Sequence, residues 1–255
     1  MLVDGSTQGR QCIRYGNAGH GAGSVVCVSN RHQVTMYSAS KVNRGTGMNI
    51  DHFMYAGPDL DALSQGFAAL TGVEAEPGGQ HPQIGTHNRL VGSTGPMYLE
   101  LIAPDPTSAA RSDLRAGIAE LPRPCLHRFI MDATGADLDH LVSVYAKVGI
   151  SSQVQDMHRI TPAGTTLRWR LLVPDDNHYG LFAPFFIDWL HTPHPSTRLA
   201  QGFETLEIEA GHPSSEALRA LWQDLGVPID LHLADAAYLR LGLKTRRGRV
   251  DLTSM

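Results

Sequence analysis

Gly78–Pro106, GGQHPQIGTHNRLVGSTGPMYLELIAPDP, follows Asn49–Asp61, NIDHFMYAGPDLD, across a stretch with helical periodicity. Side chains alternate across a strand, so the earlier segment sets Ile50, His52 and Met54 on one face and Phe53 and Tyr55 on the other. In the later segment Tyr98, Glu100 and Ile102 oppose Leu99 and Leu101. His52 and Glu100 are thereby predicted on one face of one sheet, among apolar neighbours. A carboxylate in such surroundings requires a partner.

Outward from this pair, Asn49–Ala56 reads as a strand and Asp59–Thr71 as a helix with Asp59 as N-cap, burying Leu60, Leu63, Phe67 and Leu70. A short extended Val73–Glu76 and strands Gly85–Gly92 and Met97–Ala103 complete a βαβββ unit, and that order recurs. The second copy has a strand at Cys125–Asp132, a helix at Asp137–Val148, and extended segments at Ser152–His158, Thr165–Val173 and Phe185–Leu190. The third, shorter copy has a strand at Phe203–Glu209, a helix at Ser214–Leu225, and strands at Ile229–Leu233, Ala237–Lys244 and Arg249–Leu252. A short helix is expected around Ser112–Leu121. The last strands of each copy are joined by turns too short for parallel crossovers, which argues against a doubly wound sheet. The fold class is α+β. The expected divisions are a Gly-rich extension at 1–47, βαβββ modules at 48–124 and 125–201, and a βαβββ-like unit at 202–255.

With 255 residues, 42% hydrophobic and 18% charged, the chain can bury a sizeable core. A formal charge of −4 supplies no basic field for nucleic acid or anionic membranes, so neither is an expected partner. The sequence lacks a run of about 18 apolar residues or a secretory-type apolar core, and a cytoplasmic location is expected. Cys12, Cys27 and Cys125 have no C-x-x-C spacing, so neither a disulfide framework nor a thiolate zinc site is indicated. Residues 1–47 hold eight glycines but a single acid, Asp4. There, Ser29 with Tyr37 and Lys41 resembles the catalytic segment of short-chain dehydrogenases. The glycine cluster Gly16–Gly23 is not G-x-G-x-x-G, and no complete dinucleotide-binding βαβ unit fits upstream, so no nucleotide cofactor is expected.

Asp51-His52, Asp59-Leu-Asp, Gly78-Gly-x-His81-Pro82, Gly85-Thr86-x-Asn88 and Tyr98-Leu-Glu-Leu-Ile-Ala-Pro together resemble the glyoxalase-like branch of the vicinal oxygen chelate superfamily. The resemblance extends more loosely through Pro184–Trp189 to Ser196. It implies paired βαβββ modules curled around a cup. In many members the cup holds a divalent metal that chelates vicinal substrate oxygens, in isomerases, epimerases, lyases and ring-cleaving dioxygenases. Other members only bind ligands. The implied partner is a small molecule, with pairing of two chains as a homodimer also open.

His52 and Glu100 suit one divalent ion, zinc, manganese, iron or nickel, or else form a buried polar pair without metal. Glu100 is ligand or proton shuttle. The second module offers His127 if histidines are aligned, but Arg128 if Phe129 is aligned with Phe53, since one residue of register reverses the face. The position matching Glu100 falls near Phe186, with Asp188 as a substitute oxygen ligand. Thr86 and Asn88 suit substrate hydrogen bonding, and Phe186 and Trp189 an aromatic wall, although the former pair also fits a strand start and the latter a core. Arg168 and Arg170 either face the cup or face solvent. His191 and His194 are read as a loop pair. An enzyme polarising a carbonyl or hydroxyl and a non-catalytic binding protein both fit.

Overall fold

The computed structural model describes residues 48–255, together with two short strands, β1 (Gln11–Arg14) and β2 (Val25–Val28). These two pair antiparallel within a separate unit, Met1–Asn43. Ser29, Tyr37 and Lys41 lie outside the described residues.

In the second unit the first run of elements is β3 (Ile50–Ala56), α1 (Leu60–Thr71), β4 (Glu76–His81), β5 (Thr86–Ser93) and β6 (Tyr98–Pro104). After the short helix α2 (Asp113–Ala119) come β7 (Cys125–Asp132), α3 (Leu138–Lys147), β8 (Ser152–Ile160), β9 (Thr166–Pro174) and β10 (Phe185–Asp188). The last run is β11 (Gln201–His212), α4 (Ser215–Asp224), β12 (Asp230–Leu233), β13 (Tyr238–Thr245) and β14 (Gly248–Thr253).

Helix α1 starts where the Asp59 carboxylate accepts the Ala62 N–H and stops at Gly72, whose φ of 71° suits a residue without Cβ. Leu70 was expected inward but is 49% exposed. Thr71 takes the inward place four residues after Phe67 and donates its hydroxyl to the Phe67 carbonyl. Strand β4 also differs from the expected Val73–Glu76 segment: it begins at Glu76 and carries Gly78 and Gly79 inside it.

Eight strands close into a ring in the order β3, β6, β5, β4, β8, β9, β10, β7 and back to β3. In each half the first strand pairs parallel with the last, β3 with β6 and β7 with β10. The halves meet at two unequal seams. Six residue pairs join β3 to β7, whereas Gln80 opposite Ile160 alone joins β4 to β8. The third run repeats the element order but not the pairing: β11 lies between β12 and β13, and it reaches the ring only through β5 at Gly92 and Ser93.

The two faces of the strands bury different things. Outside the ring, Phe53, Leu99, Leu101, Phe129 and Phe186 pack with Phe67 of α1, Tyr145 of α3 and Trp222 of α4 in one continuous core. Inside lies a smaller cluster that includes Met54, Tyr98, Ile102, Ile130, Met157, Trp169, Ile187 and Trp189. Alternation therefore serves two cores, which is why these strands read as almost wholly apolar.

Candidate active site

The ring encloses a small cavity of about 60 Å³. One side is polar: His52 of β3, Tyr98 and Glu100 of β6, His81 of β4 and Arg159 of β8. The opposite side is apolar, with Trp169, Phe185, Ile187 and Trp189 prominent.

His52 lies between two carboxylates. Its Nδ1 is 2.5 Å from Oδ1 of Asp51, and its Nε2 is 3.6 Å from Oε2 of Glu100. Its ring stacks on Tyr98 at 4.5 Å between centroids. Asp51 Oδ2 also accepts the Trp189 indole N–H at 2.7 Å and a hydrogen bond from His194 Nε2 at 3.0 Å. His194 Nδ1 accepts the Ser196 N–H, which leaves the ring proton on Nε2 to donate to Asp51. Glu100 Oε1 accepts the Asn88 amide at 2.5 Å, and His81 meets the Thr86 hydroxyl at 2.9 Å.

Burial favours the neutral imidazole, but Asp51 and Glu100 outweigh it and raise the His52 pKa to about 9. Burial also works against a charged Glu100, yet His52 and Asn88 lower its pKa to about 2. Asp51 is held well below the usual carboxylate range in the same way, against its burial, by His194 and His52. Burial brings His81 down to about 4. At neutral pH the array is thus a carboxylate, an imidazolium and a second carboxylate, beside a neutral histidine.

The other expected site residues are placed differently. Thr86 and Asn88 are buried on β5 behind the cavity wall, positioning His81 and Glu100 rather than lining the space. Trp189 lines the cavity, but Phe186 faces outward and packs against Tyr145 of α3. Phe186 and Trp189 are an odd number of residues apart, so an extended strand sends them to opposite faces. Asp188 shares the outward face with Phe186 and pairs with Arg170 at 2.6 Å. His127 is the extra residue of a β-bulge, between Tyr55 opposite Leu126 and Met54 opposite Arg128, and it does not line the cavity.

Phe53 sits directly opposite Phe129, so the pseudo-twofold relating the halves sets Arg128 in the place of His52. Met54 pairs with Glu100 and its counterpart Ile130 with Phe185, which makes Phe185, not Phe186, the equivalent of Glu100. The Arg128 guanidinium carbon lies 4.2 Å from the centroid of the Phe185 ring.

A divalent ion in a protein site commonly takes three or four protein ligands. Of the four expected here, only His52 and Glu100 face the cavity, and His127 and Asp188 are outside it. Among the described residues no group of three or more His, Cys, Asp or Glu side chains is placed to hold a metal. The donor set does not fit the expected ion.

Residue order alone did not single out Asp51, His81, Arg159, Trp169 or His194 as site members. The available signal was the parity of β8, where Met157 and Arg159 share a face.

The paired βαβββ units form a ring around a cup with one polar and one aromatic wall. A family profile described as a glyoxalase-like domain matches residues 50–226, and the chain belongs to that family, within the vicinal oxygen chelate superfamily. Among solved structures it resembles a hypothetical protein from Staphylococcus aureus, at 15% identity and a TM-score of 0.52, over 81% of this chain and 85% of that one. Methylmalonyl-CoA epimerase from Mycobacterium tuberculosis is more distant, at 16% identity and a TM-score of 0.40, over 58% of this chain and 93% of that one. A Streptomyces coelicolor methylmalonyl-CoA epimerase variant in complex with 2-nitronate-propionyl-CoA aligns at 22% identity and a TM-score of 0.41, over 59% and 100%. Only the first of these bears on the fold. No curated protein matches. Among the described residues no helix is long and apolar enough to cross a membrane.

Proposed function

We infer that the chain is an acid–base enzyme that enolises a small carbonyl compound, with Glu100 and His52 as its catalytic residues. The observation that carries this reading is the buried Asp51–His52–Glu100 array on the polar wall of a cavity whose opposite wall is apolar. With a pKa of about 9, His52 is a proton donor at neutral pH, and Asp51 fixes its orientation through Nδ1. Glu100 alone, at about 2, is a weak base. The two transfers are coupled: as Nε2 gives its proton to the substrate carbonyl oxygen, Glu100 loses the neighbouring charge that depressed it and regains basicity. The proton on the adjacent carbon passes to Glu100, the C–H electron pair becomes the C=C bond, and the carbonyl becomes an enol. Return of a proton to that carbon restores the carbonyl compound, with exchange against solvent on the same face and epimerisation on the opposite one. No step requires a metal ion.

The test is incubation with small ketones and 2-oxo acids in D2O, following loss of the α-proton signals by NMR. The native protein is expected to catalyse exchange, and Glu100→Gln and His52→Asn to lose about 100-fold or more, the usual contribution of a positioned acid or base. Compounds that bind without exchanging, or a Glu100→Gln variant equal to native, would establish a binding protein instead.

A further inference from the structure

Arg159 is 2% exposed and lines the cavity. Its Nη1 points to Asn88 Oδ1 at 3.4 Å, while Nε and Nη2 are buried and have no partner among the described residues. Nε and Nη2 form one edge of the guanidinium, the side-on fork that matches two oxygens of a carboxylate. A buried cation with two unused donors is costly to keep, so its place in the cavity wall requires a reason.

Neutralising Glu100 is not that reason. Among the described residues Arg159 makes no ion pair, and Asn88 stands between the two groups, accepting from Arg159 with Oδ1 and donating to Glu100 with Nδ2. The carboxylates of the site are engaged elsewhere, Asp51 by His52, Trp189 and His194, and Glu100 by His52 and Asn88.

The neighbouring strand is shaped around the Arg159–Asn88 pair. A Cβ on Gly79, whose φ is +155°, would stand 2.8 Å from Arg159 Cγ and 2.2 Å from the Ile160 carbonyl. A Cβ on Gly78 would stand 2.0 Å from Asn88 Oδ1. The Gly-Gly pair makes room for both side chains.

We propose that the cavity takes a small monocarboxylate, its two oxygens on the Nε–Nη2 edge of Arg159 and its apolar body against Met157, Trp169 and Ile187. This deepens the enolisation reading and rests on it: the carboxylate anchors the molecule while its carbonyl is presented to His52 and Glu100. The substrate class is then a short oxo acid.

Isothermal titration calorimetry with 4-methyl-2-oxopentanoate and with its methyl ester tests the carboxylate apart from catalysis. The native protein should bind the acid at least about tenfold tighter than the ester. Arg159→Leu and Arg159→Lys should lose that preference, the lysine because it keeps charge and stem but not the fork. Glu100→Gln should bind the acid while losing proton exchange, which separates the two readings. Equal affinity for acid and ester, no measurable binding of the acid, or an unchanged preference in Arg159→Lys would overturn the proposal.

Discussion

In one half of the ring, His52 and Glu100 face each other with 3.6 Å between Nε2 and Oε2; in the other half the equivalent places hold Arg128 and Phe185, packed as cation on ring. The backbone repeats while the chemistry does not. A symmetric cup with the first pair in both halves would offer two imidazoles and two carboxylates to a shared ion. Here one wall keeps titratable groups, and the other supplies apolar surface against which a ligand's body can lie. The two halves thus differ in character at two equivalent positions, His52 against Arg128 and Glu100 against Phe185.

The largest expected effect is on the polar half. Asp51→Ala removes the acceptor for His52, Trp189 and His194 at once and leaves a buried imidazolium with less compensation, so unfolding in urea should show a loss of about 3–5 kcal/mol. A loss as small as that of an exposed pair would mean that the array does not organise this half.

Proton linkage separates the halves next. The folded pKa of His52, about 9, exceeds its ordinary 6.5, so its contribution is full below about pH 6.5 and is lost as pH rises through 9. The shift corresponds to about 3 kcal/mol. Glu100 runs the other way, from 4.5 down to about 2, so its contribution is full above about pH 4.5 and is lost as pH falls through 2. Stability measured across pH should fall between about pH 6.5 and 9, and His52→Asn should flatten that limb; a native curve already flat there would show that His52 is not held charged.

Restoring the symmetry is a constructive test. Arg128→His combined with Phe185→Glu places the first half's pair in the second, and zinc or manganese should then raise the melting temperature of the double variant more than that of the native chain. At free metal 100-fold above Kd the gain would be about 2.7 kcal/mol. An equal response in both proteins would show that the two halves are not geometrically equivalent at these positions.

The smallest effect belongs outside the ring. Arg170 and Asp188 form a partly exposed pair screened by solvent, so Arg170→Ala should barely move the urea unfolding midpoint and leave ligand affinity unchanged. A change in affinity would put Asp188 back in the cup.

Strands and helices were legible because their signals are local: Asp59 as a cap, helical spacing in Leu60, Leu63 and Phe67, and alternation in Ile50–Met54 and Tyr98–Ile102. The same alternation placed His52 and Glu100. It does not decide Phe185–Asp188, where three consecutive apolar residues give no parity; Phe186, open in the sequence between the cup and the core, lies in the core, and Phe185 and Ile187 line the cavity. On β7, the choice between His127 and Arg128 depended on a bulge that only the pairing with β3 reveals. Arg159 gives no such signal, because in Ser152–Ile160 the apolar residues Val154, Met157 and Ile160 recur every third place and leave polar residues on both faces, and only closure of the ring decides which of them lose water.

The two seams of that ring, six residue pairs at β3–β7 and one at β4–β8, are unequal fastenings. Fluctuations that separate the halves break fewest hydrogen bonds at Gln80 and Ile160, next to Gly79 and Arg159, so this seam is the cheapest place for the barrel to breathe. A guest held by Arg159 would sit beside the fastening itself, and its residence time would be set by how often one strand pair lets go.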